Sequence, residues 1–555
     1  MLNRYPGYYL NVVILLFYSN LAQAIDHVPS TVIDEIRTEV ALNSNQNEGF
    51  PLPLAAHWNS GVVPGSYSPD YQIKLIEAGH HILPWFKLEA PIFSPRDNGY
   101  YENAIKYFAK YNLPISFVST QWERVLSDDP MFYELDEVNN PNVISLTGAI
   151  KNQVSPFSPI SPWESAGGLW TDTALMKTLQ RWYPDPPKIF FISNNEHRKL
   201  RWHEALLSKR YVANYGLNNG FEGMRLAVGD GWIPRYKALQ EGMRNSLILD
   251  EWKKNSAFIG YNAFGGSEFG RWPGWIRYSL YTEGRMEPWP LAWDGASISF
   301  YVHNWNSGTD YNLMSPQIQA MNWLFMLEDA YKQNSNFWFE MSSWDGHEPS
   351  KENDKRKFYA GLGQNYTPSR YRGMVQFGMW LLRPRVVREF RGWTHTVADS
   401  GEYFDAVIDS VDSVYEDILL KRFWRRGELV ANETAKHPFQ SNIPDELKNR
   451  QRWYLLNADI NPKRPWDIKH TELKLFSMAL VLGTAPEREW LVYVFSPRTG
   501  QLATQIQLPG FGKLKLDDIP LWAFYCVSEA TGHKKIIMSS REQRHPSASR
   551  SQGGC

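Results

Sequence analysis

The chain has 555 residues, 43% of them apolar and 21% charged, room for two or three globular domains and too evenly mixed for a disordered chain or a coiled coil. Its 58 basic and 59 acidic residues leave a net charge of −1, which excludes the broad basic surface that a nucleic-acid partner asks for. Aromatic content is the deviation: 24 Trp, 29 Tyr and 28 Phe make up 15% of the chain, a supply that suits large core layers and equally a cleft stacking flat ligand faces.

The first 24 residues read as a secretory signal: one Arg, a mostly apolar stretch from Tyr9 to Tyr18, and the small-x-small ending Ala22-Gln23-Ala24. Export to the extracellular space or periplasm is the expectation. The apolar run is short for a membrane span, and no later stretch approaches about 20 apolar residues, so no membrane association is expected after cleavage. The two cysteines are Cys526, in the apolar run LWAFYCV and read as a buried thiol, and Cys555, at the end of a tail over 539–555 whose composition reads as disordered. A bridge between them is not expected.

Short apolar runs, rich in β-branched and aromatic residues, then recur with helix-length spacers, the pattern of βα units on a parallel sheet. Eight are strand candidates: Leu52 to Trp58, His81 to Leu88, Pro114 to Thr120, Lys188 to Ser193, Ala257 to Asn262, Ser297 to His303, Asn336 to Glu340, and Gly373 to Leu381. Helices fit between them at Tyr71 to Ala78, Asn103 to Lys110, Thr173 to Trp182, Ile233 to Leu247 and Pro316 to Lys332, and a final one from Tyr403 to Trp424 closes the set. The fold class is therefore α/β, a (β/α)8 TIM barrel over 25–430. From Trp453 the pattern changes to short alternating runs, so 431–538 reads as a small C-terminal antiparallel β domain of sandwich type.

Active sites of this fold lie at the C-terminal strand ends. The fourth run, KIFFIS, leads into Asn194-Asn195-Glu196-His197, and the seventh, NFWFE, ends on Glu340. A charge at the end of so apolar a strand needs a compensating partner or a function. Two carboxyls facing each other across a barrel mouth suit glycoside cleavage, in which one protonates the leaving oxygen while the other attacks or activates water; their separation decides between retention and inversion.

Asn-Glu after strand four, with a Glu ending strand seven, resembles clan A of the retaining glycoside hydrolases over roughly residues 50 to 430. The resemblance implies Glu196 as acid/base, Glu340 as nucleophile and Asn195 as holder of the sugar 2-hydroxyl. It also implies a Tyr from strand six on the nucleophile, for which Tyr301 is favoured, with His303 on the same side of the strand. The clan's Arg from an early strand has no counterpart in strands one and two, leaving Lys87 as a substitute. Trp380 resembles the clan's sugar platform after strand eight. Other cleft candidates at strand ends are His57, Trp58, Trp85, Trp122, Asn262, Asn304 and Trp344, and the insert Gly265 to Gly295 adds Trp272, Trp275, Trp289 and Trp293 as stacking residues.

After Glu196 come His197, Arg198, Lys199 and Arg201, then Lys209 and Arg210, a run that serves a solvated helix face or contacts sulfate and carboxylate groups on a polymer. This motivates a galactan, sulfated or neutral, of the kind agarases and carrageenases degrade. No GxSxG elbow, HExxH helix or P-loop is present. His80 and His81 are adjacent and expected on opposite sides of an extended strand, a poor metal pair. The expectation is a polysaccharide hydrolase with no metal and no cofactor. Its rivals are a carbohydrate-binding protein on a degenerate barrel and an inverting or transferring enzyme on the same scaffold.

Overall fold

The structure, a computed structural model, describes residues 28–43, 49–59, 65–88, 99–120, 122–194, 199–200, 202–261, 289–301, 316–345, 367–391, 395–433, 453–456, 475–496, 503–541 and 555. The first 24 residues, read as a secretory signal, lie outside them. Among the described residues no helix is long and apolar enough to cross a membrane.

Eight parallel strands form one sheet: Leu54–His57, Trp85–Leu88, Ile115–Thr120, Ile189–Asn194, Ser256–Tyr261, Gly295–Tyr301, Trp338–Trp344 and Val386–Glu389, called strands one to eight below. Their hydrogen-bonded order is one, eight, seven, six, five, four, three, two. The remaining seam is closed just below strand two, where Ala55 N–H donates to His81 O at 2.9 Å and Leu83 N–H donates to Ala55 O at 3.0 Å. Parallel strands joined through helices, closing on themselves, make the (β/α)8 barrel that the run count implies.

Strand eight is not where the sequence suggested. The run Gly373 to Leu381 lies inside a helix, Pro368–Leu382, whose start is fixed by Thr367 accepting from Arg370 N–H with proline in the first turn, and whose end is Arg383 in the left-handed region at φ 46°. Nearly every residue of this helix is buried, because the barrel covers one side and the C-terminal domain the other. A helix apolar all round carries no 3.6-residue stripe, so its composition imitates a buried strand. The true strand eight, Val-Val-Arg-Glu, carries two charges in four residues. The expected helix from Tyr403 to Trp424 is two helices, Val397–Glu416 and Ile418–Arg426.

Between strands three and four an insert builds a hairpin, Asn142–Ile144 with Ile150–Val154, and the helices Ser161–Thr171 and Ala174–Trp182. Ser161–Thr171 packs backbone to backbone on the long helix Gly220–Asn245: a Cβ on Gly167 would lie 2.0 Å from Leu239 O, and one on Gly242 would lie 1.9 Å from Glu164 O.

The C-terminal domain is a five-stranded sheet of Glu428–Leu429, Phe476–Leu482, Glu489–Phe495, Trp522–Ser528 and Lys534–Ser539, antiparallel throughout, with a separate hairpin, Thr504–Leu508 and Gly512–Leu516. Side chains alternate between its faces. Phe476, Met478, Tyr493, Phe495, Trp522 and Phe524 join the barrel's core, whereas Ala479, Val492, Val494 and Val527 form a second core with Ile506 and Leu514. Tyr493 Oη donates to Gly373 O at 2.7 Å and Trp522 Nε1 donates to Ser369 O at 3.1 Å, fixing the sheet to the Pro368–Leu382 helix. Cys526 is bonded to Cys555, so the pair read as unpaired in the sequence forms a disulfide.

Candidate active site

Phe190 of strand four meets Trp338 of strand seven at a ring separation of 4.1 Å. The two strands are not neighbours in the sheet, so this contact crosses the lumen and identifies the inward-facing residues. With alternation along strand seven, Trp338, Glu340, Ser342 and Trp344 point inward.

Glu340 is fully buried in that lumen. Its Oε1 accepts from Trp338 Nε1 at 3.0 Å and from Arg388 Nη2 at 3.3 Å, and its Oε2 accepts from Arg388 Nε at 3.1 Å. Arg388 also reaches His57 O at 3.3 Å and lies 5.7 Å from the Trp58 ring centre. The Arg expected beside Glu340 therefore comes from strand eight; Arg388, rather than Lys87, carries the bonds to Glu340. Strand eight escaped the sequence reading and took Arg388 with it.

Strand seven does not end on Glu340. It continues through Met341, Ser342 and Ser343 to Trp344, which sets the carboxylate four residues, about 13 Å of strand, below the strand's end. The intervening layer is filled. Trp58 Nε1 donates to Ser342 Oγ at 2.7 Å, Tyr301 Oη lies 3.2 Å from Ser342 Oγ, and Tyr261 Oη donates to Tyr301 Oη at 2.8 Å. Trp58 also packs edge-on to Tyr261 at 4.9 Å. Tyr301 is thus in the lumen as expected, but its hydroxyl bonds to Ser342 and Tyr261. Attack by Glu340 on a sugar carbon requires this layer to open.

Above it, at the ends of strands six, seven and eight, Tyr301, Trp344 and Phe390 form an aromatic triangle with ring separations of 5.4 to 5.7 Å. Behind the wall beside the mouth lies a second ionic group, absent from the sequence-based candidates. Arg391 donates Nε and Nη2 to Glu389 Oε1 at 2.9 and 2.8 Å and Nη1 to Asp345 at 2.5 Å, with its guanidinium carbon 4.1 Å from the Tyr403 ring centre. Burial pushes the Glu389 carboxyl up to about 7 against the pull of Arg391. His57 Nε2 sits 3.6 Å from Glu389 Oε2, while His57 Nδ1 accepts from Asn59 N–H at 2.7 Å. Burial first, then Arg391 and Arg388, drives the His57 pKa well down, so its imidazole is neutral.

At the opposite, N-terminal face, His80 and His81 converge on one carboxylate instead of diverging. His80 Nδ1 lies 2.8 Å from Asp412 Oδ2, His81 Nδ1 lies 2.8 Å from Asp412 Oδ1, and His81 Nε2 lies 2.9 Å from Glu35 Oε2. Irregular backbone between the turn at 78–79 and strand two carries both rings, which removes the alternation on which the expectation rested.

The remaining candidates divide sharply. Trp380 is no platform: it sits in the Pro368–Leu382 helix, buried against Trp424 at 5.1 Å and Phe524 at 5.3 Å. Trp85 is buried beside Phe404 at 5.7 Å, its Nε1 donating to Asn59 O at 2.8 Å, and His57 faces the helical layer rather than the lumen. Trp293 of the insert packs on Tyr236 at 4.9 Å, a core contact. Trp58 and Trp344 stand in the lumen and at the mouth. Asn195, Glu196, Asn262, His303, Asn304, Trp272 and Trp275 lie outside the described residues, as do the side chains of Trp122 and Trp289. In the basic run, Lys209 Nζ bonds to Glu137 Oε1 at 2.7 Å, and Arg210 Nη1 donates to Asn142 O at 3.0 Å.

No family model and no curated protein matches this chain. Among solved structures it is similar to a GH36 alpha-galactosidase from Geobacillus stearothermophilus, at 10% identity and a TM-score of 0.39, over 92% of this chain and 58% of that one. It is also similar to a modular endo-beta-1,4-mannanase from Cellulomonas fimi, at 9% identity and 0.33, over 92% and 97% of the two chains. An exo-beta-agarase matches at 11% identity and 0.33, over 64% of this chain and 48% of that one. Likenesses this distant decide nothing about chemistry, which rests on the site itself.

Proposed function

We propose that the chain is a secreted glycoside hydrolase that cleaves β-glycosidic bonds of a polysaccharide by retaining double displacement, with Glu196 as acid/base, Asn195 on the sugar 2-hydroxyl and Glu340 as nucleophile. The observation that carries this reading is the lumenal Glu340 on strand seven, oriented by Arg388 and Trp338 and lying opposite strand four, whose next residues are Asn195-Glu196. Aromatic rings at the mouth supply the flat amphipathic surfaces that pyranose rings stack on. Of the galactans suggested by the basic run, the neutral class is favoured, because Lys209 and Arg210 are committed to Glu137 and the hairpin.

The enclosure of Glu340 favours a second reading, in which its ion pair with Arg388 is a structural pillar inside a carbohydrate-binding barrel. Reducing-sugar release across a polysaccharide panel, by the parent and by Glu196→Gln and Glu340→Gln proteins checked for folding by circular dichroism, separates the two. Activity lost in both folded variants supports the hydrolase; activity kept in both overturns the assignment. The anomer first released, followed by NMR, tests retention.

A further inference from the structure

A second concavity lies outside the lumen. The inserted hairpin Asn142–Ile144 and Ile150–Val154 stands against the segment that follows strand four, joined through Leu200 N–H donating to Val154 O at 2.9 Å and through the bridge of Ser145 to Ser208. Between the hairpin and the short 3-10 helix Trp202–Leu207 is a cavity of about 600 Å³. That is the size of a small-molecule site, about 300 to 1,000 Å³.

Its lining is mixed in a telling way. Leu146 and Leu207 flank it with 55% and 62% of their surface exposed, although Leu200 beside them is buried. Two exposed leucines around one concavity offer an apolar surface that no element among the described residues covers. Between them stand Lys151, Asn152, Gln153 and Glu204, which bring one positive charge, one negative charge and two amides. Gln153 Nε2 donates to Glu204 Oε2 at 2.9 Å and to Lys199 O at 2.9 Å, so two of these polar groups are held in fixed orientation.

The cavity's place in the chain supplies its occupant. Leu200 is six residues beyond Asn194, the last residue of strand four, and six residues span at most about 22 Å. The concavity therefore borders the same end of the barrel as the mouth, at a distance that a polymer occupying the mouth would cover. Balanced charge disfavours a polyanion, and planar amide and carboxylate groups beside aliphatic surface match vicinal hydroxyls beside the C–H face of a pyranose ring.

Resting on the hydrolase reading, we propose that this cavity is a distal subsite for a neutral polysaccharide, binding sugar units remote from the bond that is cut. Leu207→Asp and Asn152→Ala test it, since both side chains are exposed and the substitutions spare the core. The probes are neutral oligosaccharides of two and six units from agarose, mannan and β-glucan. For the polymer that the parent hydrolyses, each variant should raise KM for the six-unit substrate about tenfold, while leaving kcat and the two-unit KM unchanged. Titration calorimetry of the same six-unit sugar on a Glu196→Gln background should show an equal loss of affinity. Unaltered six-unit KM and affinity in both variants would overturn the subsite alone. If the parent neither binds nor cleaves any sugar of the panel, the hydrolase reading fails and the subsite fails with it, a result seen in the parent before any variant is compared.

Discussion

The two faces of the barrel each hold a buried ionic cluster, and they are built to different ends. At the N-terminal face, Asp412 gathers His80 and His81 from the irregular backbone before strand two while Glu35 of the helix Val28–Ala41 grips His81 from the other side. The ring of His81 stacks on Tyr415 at 3.4 Å. That cluster ties the strand-one to strand-two seam to the last helices, which is stability work. At the C-terminal side the ionic groups are arginine-based and lie on strands seven and eight, where function is built in this fold. Imidazoles carry the titration of the lower cluster, whereas in the upper one the guanidinium charges stay fixed and the raised Glu389 carboxyl is the group that titrates.

The widest separation between the faces should come from Arg388→Met. Removing one partner of a buried pair strands the Glu340 charge, and unfolding in urea should show a loss of about 3 to 5 kcal/mol together with any hydrolytic activity. A loss under 1 kcal/mol would mean that the Glu340 carboxylate is not held as a buried charge. Trp380→Ala should cost a comparable amount, about 3 to 5 kcal/mol, through the cavity left between Trp424 and Phe524, but the surviving folded protein should keep the parent's KM. A raised KM would restore Trp380 to the sugar-binding surface.

Smaller effects come from pH. The bond to Asp412 raises His80 above its ordinary 6.5, and in His81 burial opposes protonation but the bonds to Asp412 and Glu35 outweigh it. Groups whose folded pKa is raised contribute stability below the unfolded value and lose it as pH rises through the folded one. Glu389, lifted from 4.5 to about 7 by burial, gives up its contribution over that window, and the two histidines give up theirs above 6.5. Asp412 works on the acid side: burial raises it, the two histidine bonds win, and its contribution disappears as pH falls below 3.8. His57, driven well below 6.5, works against Glu389 by adding stability as pH rises to 6.5, so thermal melts should show Tm falling from about pH 6.5 toward about pH 8, with that fall flattened in a His80→Gln, His81→Phe protein. An unchanged slope in that variant would remove the lower cluster from the pH response. Smallest of all, Lys209→Gln should change stability by about 0 to 1 kcal/mol, because its pair with Glu137 is exposed, and should leave the salt dependence of any substrate KM unaltered.

How much of this was legible beforehand depended on period and length. Seven strands announced themselves as short apolar runs between helix-length spacers, and Glu340 drew notice because a lone charge closed an apolar run. Strand eight did not, since its four residues carry Arg388 and Glu389, and the partner that makes Arg388 a buried residue, Glu340, is 48 residues away. Pairing across that distance leaves no local trace, and so Arg388, Arg391 and Asp345 were missed while the buried helix beside them was taken for the strand. Trp380 fell with that helix. The depth of Glu340 was also hidden, because Met-Ser-Ser-Trp reads as a loop until Ser342 and Trp344 are seen facing a lumen.

The C-terminal sheet and the barrel share the Pro368–Leu382 helix, and this bears on how the protein comes to exist. The residues that cover that helix, from Phe476 to Phe524, are synthesised after the whole barrel. Strand eight, which carries Arg388, follows the helix directly. A nascent chain ending near residue 430 would carry every strand of the barrel and still present a greasy, uncovered flank. The flank of the barrel is thus completed by a domain translated after it.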